Sequence, residues 1–301
     1  MDVLGAPLTL AIAAVSVACR AGLNVIDRAY FHRCQGSIVT ANVINNALPT
    51  ALIAVPLLVL QPPELLFREL LSLRVIAASL IIQVVAYTFG NAFRKVAIPR
   101  VLVVSKLPDL VIPWGLMLTV GRADARDWLF SLATVAACLP VFASMSPTER
   151  RPRTWLVVMF VALSVQGILS PLLFVPANSQ GMGWITFTAA VIAWRLVWSL
   201  LVGLLRPPRS LPTEQAPNPK QASLGRKLLI LRAFVALATQ FTFLLAAGQG
   251  IPGLAWPILN SAALVAVVMS SIVLKEHPSR GDLLSVMLIT GLAIGRASLA
   301  S

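Results

Sequence analysis

The sequence predicts an all-α membrane protein with ten transmembrane helices arranged as two inverted five-helix repeats. Three observations predict this fold class: the composition, a series of long apolar segments, and a weak internal repeat. Of the 301 residues, 58% are apolar and 12% are charged, and the mean hydropathy is +0.85. A soluble protein carries about twice that share of charge. Because the apolar stretches are continuous rather than alternating, we expect them to cross the membrane as helices.

Each apolar segment is long enough to span the roughly 30 Å hydrocarbon core of a bilayer. The ten predicted spans are residues 5–27, 37–60, 71–91, 97–120, 128–145, 154–175, 182–205, 228–247, 251–274 and 282–298. The first span follows no basic n-region and has no evident cleavage site, so we predict a retained helix rather than a signal peptide. Residues 206–227 are rich in proline and polar residues and are predicted to form a flexible loop.

The internal repeat divides the chain into halves, residues 1–147 and 148–301. Aligning Pro99 with Pro252 brings GRADARD (121–127) onto LKEHPSR (274–280) without a gap, and one inserted residue then aligns Ser131 with Ser285. Five spans is an odd number, so the second half would enter the membrane in the opposite orientation. Inverted repeats of this kind are typical of transporters, whose binding site lies at the midplane between the halves.

The charge distribution predicts the partners and the orientation. The net charge is +13, but the basic residues cluster in short loops, so we expect contact with anionic lipid and no nucleic-acid binding. Loops after odd-numbered spans hold about three times as many Lys and Arg residues as the opposite side, which predicts termini facing away from the cytoplasm. We expect a multi-pass protein of the cell (inner) membrane.

The segment IVLKEHPSRGDLLSVMLITGLAIG (272–295) resembles the last two helices, with the short turn between them, of proteins in the drug/metabolite transporter superfamily. These are the EamA-type proteins, which have two five-helix halves. Within helix 4, Lys106 followed by Ile112 and Pro113 is similar to the nucleotide-sugar and sugar-phosphate translocators of that superfamily. The resemblance implies a secondary carrier, favours exchange over pumping, and implies cytoplasmic termini. This last implication conflicts with the loop charges, and both orientations stay open.

Four charged residues fall near the middle of predicted spans: Arg20, Lys106, Asp109 and Arg195. A charge at the centre of a membrane helix costs about 2.5–3.5 kcal/mol for insertion, so such residues are candidates for function. Arg232 lies closer to the predicted start of its helix, and we expect its side chain to reach the membrane interface.

Lys106 and Asp109 are three residues apart on one helical face and can form an ion pair. Either the pair is a purely structural salt bridge, or Lys106 binds a substrate anion while Asp109 holds the lysine or exchanges a proton. Pro108 between them frees a backbone carbonyl, which is tolerated at membrane depth where a helix lines a cavity.

Arg20 and Arg195 have no acidic residue three or four positions away. Three central cations against one central acid favour a substrate that is a small organic anion, because a buried charge imbalance is costly until an anion neutralises it. A guanidinium binds phosphate or carboxylate with two parallel hydrogen bonds. Export of a neutral or amine metabolite, by proton coupling or facilitated diffusion, is the alternative.

Uncharged polar residues complete the predicted site. Asn42, Asn45 and Asn46 share a face of helix 2 and either contact substrate or hold helices together. Asn260 sits near the repeat equivalent of Lys106 and is a candidate counterpart in the second half. Tyr87 and Trp256, with Gln83, Gln166 and Gln240, are candidates for lining a pocket.

The remaining motifs argue against other functions. His32 and His277 fall in loops, three scattered cysteines form no metal motif, and no ATP-binding loop is present, so we expect no metal or cofactor. Asp124 and Asp127 could belong to the active site of a membrane enzyme, but a solvent-exposed turn explains them better. We therefore predict that the protein is not an enzyme. Gly291 and Gly295 form GxxxG, which is typical of close helix packing within a monomer or a homodimer.

Overall fold

The computed structural model describes residues 6–60, 62–144, 154–173, 183–205, 219–247, 258 and 261–300. Every regular element in these ranges is helical. The helices are α1 (Ala6–Arg28), α2 (Ile38–Leu60), α3 (Pro63–Leu70), α4 (Leu73–Lys95), α5 (Ile98–Val104), α6 (Ile112–Val120), α7 (Ala125–Ser144), α8 (Thr154–Leu173), α9 (Gly183–Leu205), α10 (Pro219–Ala247), α11 (Ala262–Met269) and α12 (Arg280–Ala300). Short π-helical turns extend α1 over Ala29–Arg33 and α11 over Ser270–Leu274.

Two features of the helix order differ from the prediction. The short helix α3 lies between the second and third predicted spans, where a loop was expected. The prediction of a loop over residues 206–227 is wrong at its C-terminal end, because α10 begins at Pro219. Proline suits the first position of a helix, and the following Lys, Gln, Ala and Leu residues are good helix formers, so local propensity extends the helix toward the proline.

The fourth predicted span is a broken helix. Helix α5 ends at Val104, a 3₁₀ turn covers Leu107–Val111, and α6 begins at Ile112. Pro108 lies inside the turn and is buried, and it cannot donate the hydrogen bond that would continue α5. The irregular backbone predicted around Pro108 is therefore present.

The outer surface of the bundle is apolar, as expected for contact with lipid. Long aliphatic side chains such as Leu60, Leu118 and Leu204 are more than two-thirds exposed. Six helices in the described part of the chain are long and apolar enough to cross a membrane. They are Leu10–Arg33, Ile38–Leu60, Leu73–Lys95, Ile98–Leu118, Ala125–Ser144 and Ile185–Leu205. The described part of the chain is therefore all-helical, and its long apolar helices are consistent with an integral membrane protein.

The largest apolar core draws side chains from both predicted halves of the chain. Phe31, Phe93 and Ile98 from the first half pack there with Met159 and Leu229 from the second. A smaller core holds α5, α7, α11 and α12 together through Val103, Cys138, Val267 and Val286. The two predicted halves thus bury their apolar faces against each other.

Helices α7 and α12 pack antiparallel along this smaller core. The Ser144 and Ser279 hydroxyls are 3.3 Å apart, and the Val141 amide lies 3.3 Å from the Ser285 hydroxyl as the chains run in opposite directions. A Cβ at Gly281 would lie 2.5 Å from the Pro140 carbonyl oxygen, so the close approach depends on glycine. The absence of a side chain at Gly281 thus allows α7 and α12 to pack closely.

Replacing Gly281 by alanine should destabilise the protein by about 1–3 kcal/mol, because the added methyl group would overlap backbone at Pro140. The matched control is Gly291→Ala on the same helix, where a Cβ meets nothing within 4 Å. Helix propensity alone should leave the control unchanged or more stable by up to about 1 kcal/mol. Thermal unfolding in mild detergent distinguishes the two, and equal stability of both variants would contradict the packing.

Arginines converge on one end of the bundle. Arg33 donates to the Leu274 carbonyl at 2.5 Å, and Arg94 donates to the Gly36 carbonyl at 2.6 Å. These bonds join the turn after α1 to the ends of α4 and α11. Because basic residues face the cytoplasm in membrane proteins, this end is predicted to be cytoplasmic.

Cys34 lies at this basic end and reports its orientation. In a Cys19→Ser/Cys138→Ala background, a membrane-impermeant maleimide should label Cys34 only from the cytoplasmic side. Burial raises the pKa of the Cys34 thiol, with Arg33 offsetting part of the rise, so labelling should be slower at pH 7 than for a free thiol and should accelerate at alkaline pH. Labelling from the opposite side alone would contradict the predicted orientation.

Candidate functional site

Arg195 lies in the middle of α9 inside a buried polar network that three helices supply. Its Nε donates to Gln83 Oε1 of α4 at 3.2 Å. Asn46 Nδ2 of α2 lies 3.3 Å from the Arg195 carbonyl and 3.1 Å from the Ser199 hydroxyl, and Gln83 Nε2 donates to the same hydroxyl at 3.0 Å. All four residues are buried. The network fixes the guanidinium without neutralising its charge, because Asn, Gln and Ser are uncharged.

Asp27 and Arg232 form a second buried polar group that joins α1 to α10. The Arg232 Nε donates to Asp27 Oδ1, and its Nη2 lies 3.1 Å from Oδ2. The remaining nitrogen of Arg232, Nη1, is buried and has no hydrogen-bond partner in the described part of the chain. The prediction that Arg232 reaches the membrane interface is therefore wrong. Gly225 of the same helix lies beside Cys34 at the basic end, so Arg232 lies about two turns inside the bundle.

Arg195 and Arg232 lie at similar heights in the bundle. Ile192 of α9 and Leu237 of α10 pack in one small cluster with Ile53 of α2. Arg195 follows Ile192 by three residues and Arg232 precedes Leu237 by five, both toward the basic end, so their heights differ by less than about one helical turn. The charge of Arg232 also acts on Arg195. We therefore treat Arg195, Arg232 and Asp27 together and call them the central arginine cluster.

Arg20 occupies the inner face of α1 and yet is exposed. Its neighbours one helical turn away include Ser16 and Val17, and Asp27 lies two turns further on the same face; all three are buried. Arg20 itself is in the exposed class. A residue that is exposed in the middle of a buried face points into an opening between helices. No carboxylate of the described residues lies within 4.0 Å of the Arg20 or Arg195 guanidinium.

Lys106 and Asp109 form the predicted ion pair at the broken helix. Lys106 Nζ lies 3.7 Å from Asp109 Oδ2, and the two side chains are 39% and 30% exposed. The 3₁₀ turn that contains Asp109 packs against α7 and α8, whereas Arg195 lies among α2, α4 and α9. Among the described residues no hydrogen bond or ion pair joins Lys106 to Arg195. The structure thus places two of the predicted cations in separate polar groups.

Of the uncharged polar residues predicted for the site, some lie near Arg195 and others lie elsewhere. Asn42, Asn45 and Asn46 are all buried, as a shared inward face requires. Tyr87 packs against the large apolar core and is half-buried. Asn260 and Trp256 lie outside the described residues. A Cβ at Gly291 or Gly295 meets nothing within 4 Å, so the GxxxG motif makes no close contact with the described helices.

Sequence reasoning missed Asp27 and Ser199, and it underrated Arg232. Ser199 follows Arg195 by one helical turn, and this spacing was a usable signal. Asp27 and Arg232 are separated by 205 positions, so no local spacing could pair them. In the described part of the chain, no three His, Cys, Asp or Glu side chains are grouped to hold a metal ion.

A solved structure is similar to this chain, and the similarity supports only the fold. A chain described only as the crystal structure of a protein shares 14% identity with this one, covers 98% of both chains, and has a TM-score of 0.57. Neither a family model nor a curated protein matches the sequence.

An ion pair lies at the basic end of the bundle. In contrast to Arg195, its arginine has a carboxylate partner. Arg28 Nε lies 2.7 Å from Glu276 Oε1, and Arg28 Nη1 donates to the Phe93 carbonyl at 2.7 Å. Glu276 Oε2 accepts a hydrogen bond from the Ile98 amide at 3.3 Å. The pair links α1, α4 and α5 to the segment before α12.

Glu276→Ala should destabilise the protein by about 3–5 kcal/mol, because it leaves the Arg28 charge buried without its partner. The control is Glu64→Gln on the exposed face of α3, which should change stability by about 0.5 kcal/mol at most. Denaturant or thermal unfolding in detergent measures both variants. A Glu276→Ala variant as stable as the control would show that the pair contributes nothing.

Proposed function

We propose that this protein is a secondary transporter that moves a small organic anion, bearing carboxylate or phosphate, across the membrane by alternating access. The observation that carries the proposal is the uncompensated positive charge inside the bundle. Arg195 has no carboxylate partner among the described residues, and Arg232 has a buried Nη1 without an acceptor. Because a buried charge and a buried unpaired donor both cost free energy, an anion that enters between them is bound strongly.

The transporter architecture that we propose has ten spans in two inverted halves. Antiparallel packing of α7 and α12, the last helices of the two halves, supports it. Similar caps also open the two helices: the Asp124 amide donates to Asp127 Oδ2 at 3.1 Å, and the Ser279 amide donates to Asp282 Oδ2 at 2.8 Å. Related local structure at the start of the last helix of each half is expected of an internal repeat.

The other predicted cations take subsidiary roles in this proposal. Arg20, on the inner face of α1, attracts the anion toward the bundle interior. Lys106 stays paired with Asp109 until an anion competes for it, and the partial exposure of both side chains makes this exchange accessible. The substrate leaves unchanged, since we propose no enzymatic step.

Export of a neutral or amine metabolite is the alternative proposal. The observation that favours it is the Lys106–Asp109 ion pair, which is already neutral and holds a carboxylate able to exchange a proton. An amine would then bind Asp109, and the preference among substrates separates the two proposals.

Uptake into proteoliposomes tests the transporter proposal. We expect wild-type protein to take up radiolabelled organic anions in preference to amines, and Arg195→Gln to lower the rate about tenfold or more, as expected for loss of a buried binding charge. Lys106→Ala should also lower uptake. Exposed Arg226→Gln, a matched charge removal at the start of α10, should leave uptake unchanged.

Arg195→Lys keeps the charge but loses the planar donors, and it should recover part of the activity. Thermal unfolding in detergent verifies that each variant is folded before its uptake is compared. Wild-type uptake by Arg195→Gln, or wild-type preference for amines, would overturn the anion proposal. Recovery of chemically altered cargo would indicate an enzyme instead.

A further inference from the structure

The central arginine cluster has a fixed charge. Arg195 and Arg232 each carry one positive charge and Asp27 carries one negative charge, so the three side chains together hold one net positive charge. The guanidinium groups cannot lose a proton in a protein. Asp27 accepts two hydrogen bonds from Arg232, which form a charge-assisted bidentate pair.

Other charged residues change this count little. The Arg28–Glu276, Arg100–Asp282 and Lys106–Asp109 pairs are each neutral. Arg20 lies two helical turns from Asp27, about 10 Å along α1, so its charge lies outside the cluster. The single excess charge is therefore a local property of the cluster.

The unpaired Arg232 Nη1 marks where an anion would enter. Asp27 accepts one hydrogen bond each from Nε and Nη2 of this guanidinium, and both N–H groups of Nη1 stay unpaired among the described residues. Arg195 offers its guanidinium at a similar height, with Nε held by Gln83. An anion placed between the two arginines would satisfy Nη1 without displacing Asp27.

We propose that the central arginine cluster selects a singly charged anion, and that Asp27 is the residue that sets this selectivity. This inference rests on the proposed function and names the charge class of its substrate. A monoanion brings the cluster to neutrality. A dianion leaves one uncompensated negative charge in a low-dielectric interior, where repulsion from Asp27 is strong.

Methanesulfonate and sulfate test the proposal directly, because they share a tetrahedral shape and differ by one charge. Neither titrates near neutral pH, so a difference in binding reports the charge of the protein. We expect purified wild-type protein in detergent to bind methanesulfonate about tenfold more tightly than sulfate at equal ionic strength. Isothermal titration calorimetry measures both.

Three variants change the charge of the cluster in known steps. Asp27→Asn raises the net charge to two and should shift the ratio about tenfold toward sulfate. The double variant Asp27→Asn/Arg232→Gln returns the net charge to one and should restore the preference for methanesulfonate. Glu64→Gln removes an exposed carboxylate from α3 and should leave the wild-type ratio unchanged.

Equal binding of both anions by wild-type protein would overturn the proposal, as would an unchanged ratio in Asp27→Asn. If Asp27→Asn alone does not fold, the double variant decides: a preference for sulfate there would overturn it. Absence of saturable binding of either anion would also overturn it. The proteoliposome measurements judge transport separately, since uptake of dianions lost in Arg195→Gln would uphold the transporter and refute the selectivity.

Discussion

An arginine side chain stays protonated at every pH that a protein meets, so each arginine inside a membrane bundle needs acceptors for its charge and its donors. Much of the architecture follows from how this need is met. At the basic end, Arg28, Arg33 and Arg94 reach a carboxylate or backbone carbonyls and so join helices that are distant in sequence. At the centre, Arg195 and Arg232 are only partly satisfied. The same chemistry therefore joins helices at one end and leaves donors in the middle for the anion that we propose.

Most helices could be predicted because lipid imposes a simple rule on sequence. A continuous apolar run must satisfy its own backbone in the membrane, so hydropathy alone located α2, α4 and α9 to within a few residues. Hydropathy fails to locate a helix end where polar residues are themselves helical. The polar first turns of α10, from Pro219, are helical because of local propensity, and α3 is a short amphipathic helix that a search for long apolar runs passes over.

The candidate site was less predictable because its important contacts join distant helices. Local spacing paired Lys106 with Asp109, and the structure has that pair. The same reasoning assigned Arg232 to the interface, although it contacts Asp27 across 205 positions. Arg195 stood out as a charge in an apolar span, but its fixation by Gln83 and Asn46 depends on the packing of three helices. A single sequence indicates which charges are unusual and leaves their partners to the fold.

Asp27 explains why an incompletely satisfied centre can be stable at all. Two bare guanidinium groups at similar heights would repel each other in a medium of low dielectric, and one carboxylate between helices α1 and α10 removes most of that cost. It does so by occupying only two of the donors of Arg232, so the remaining Nη1 keeps its capacity to bind. A second acid would make the cluster neutral and lose its attraction for anions. A cluster without any acid would have the full repulsion in the empty state, so one carboxylate for two arginines suits the anion binding that we propose.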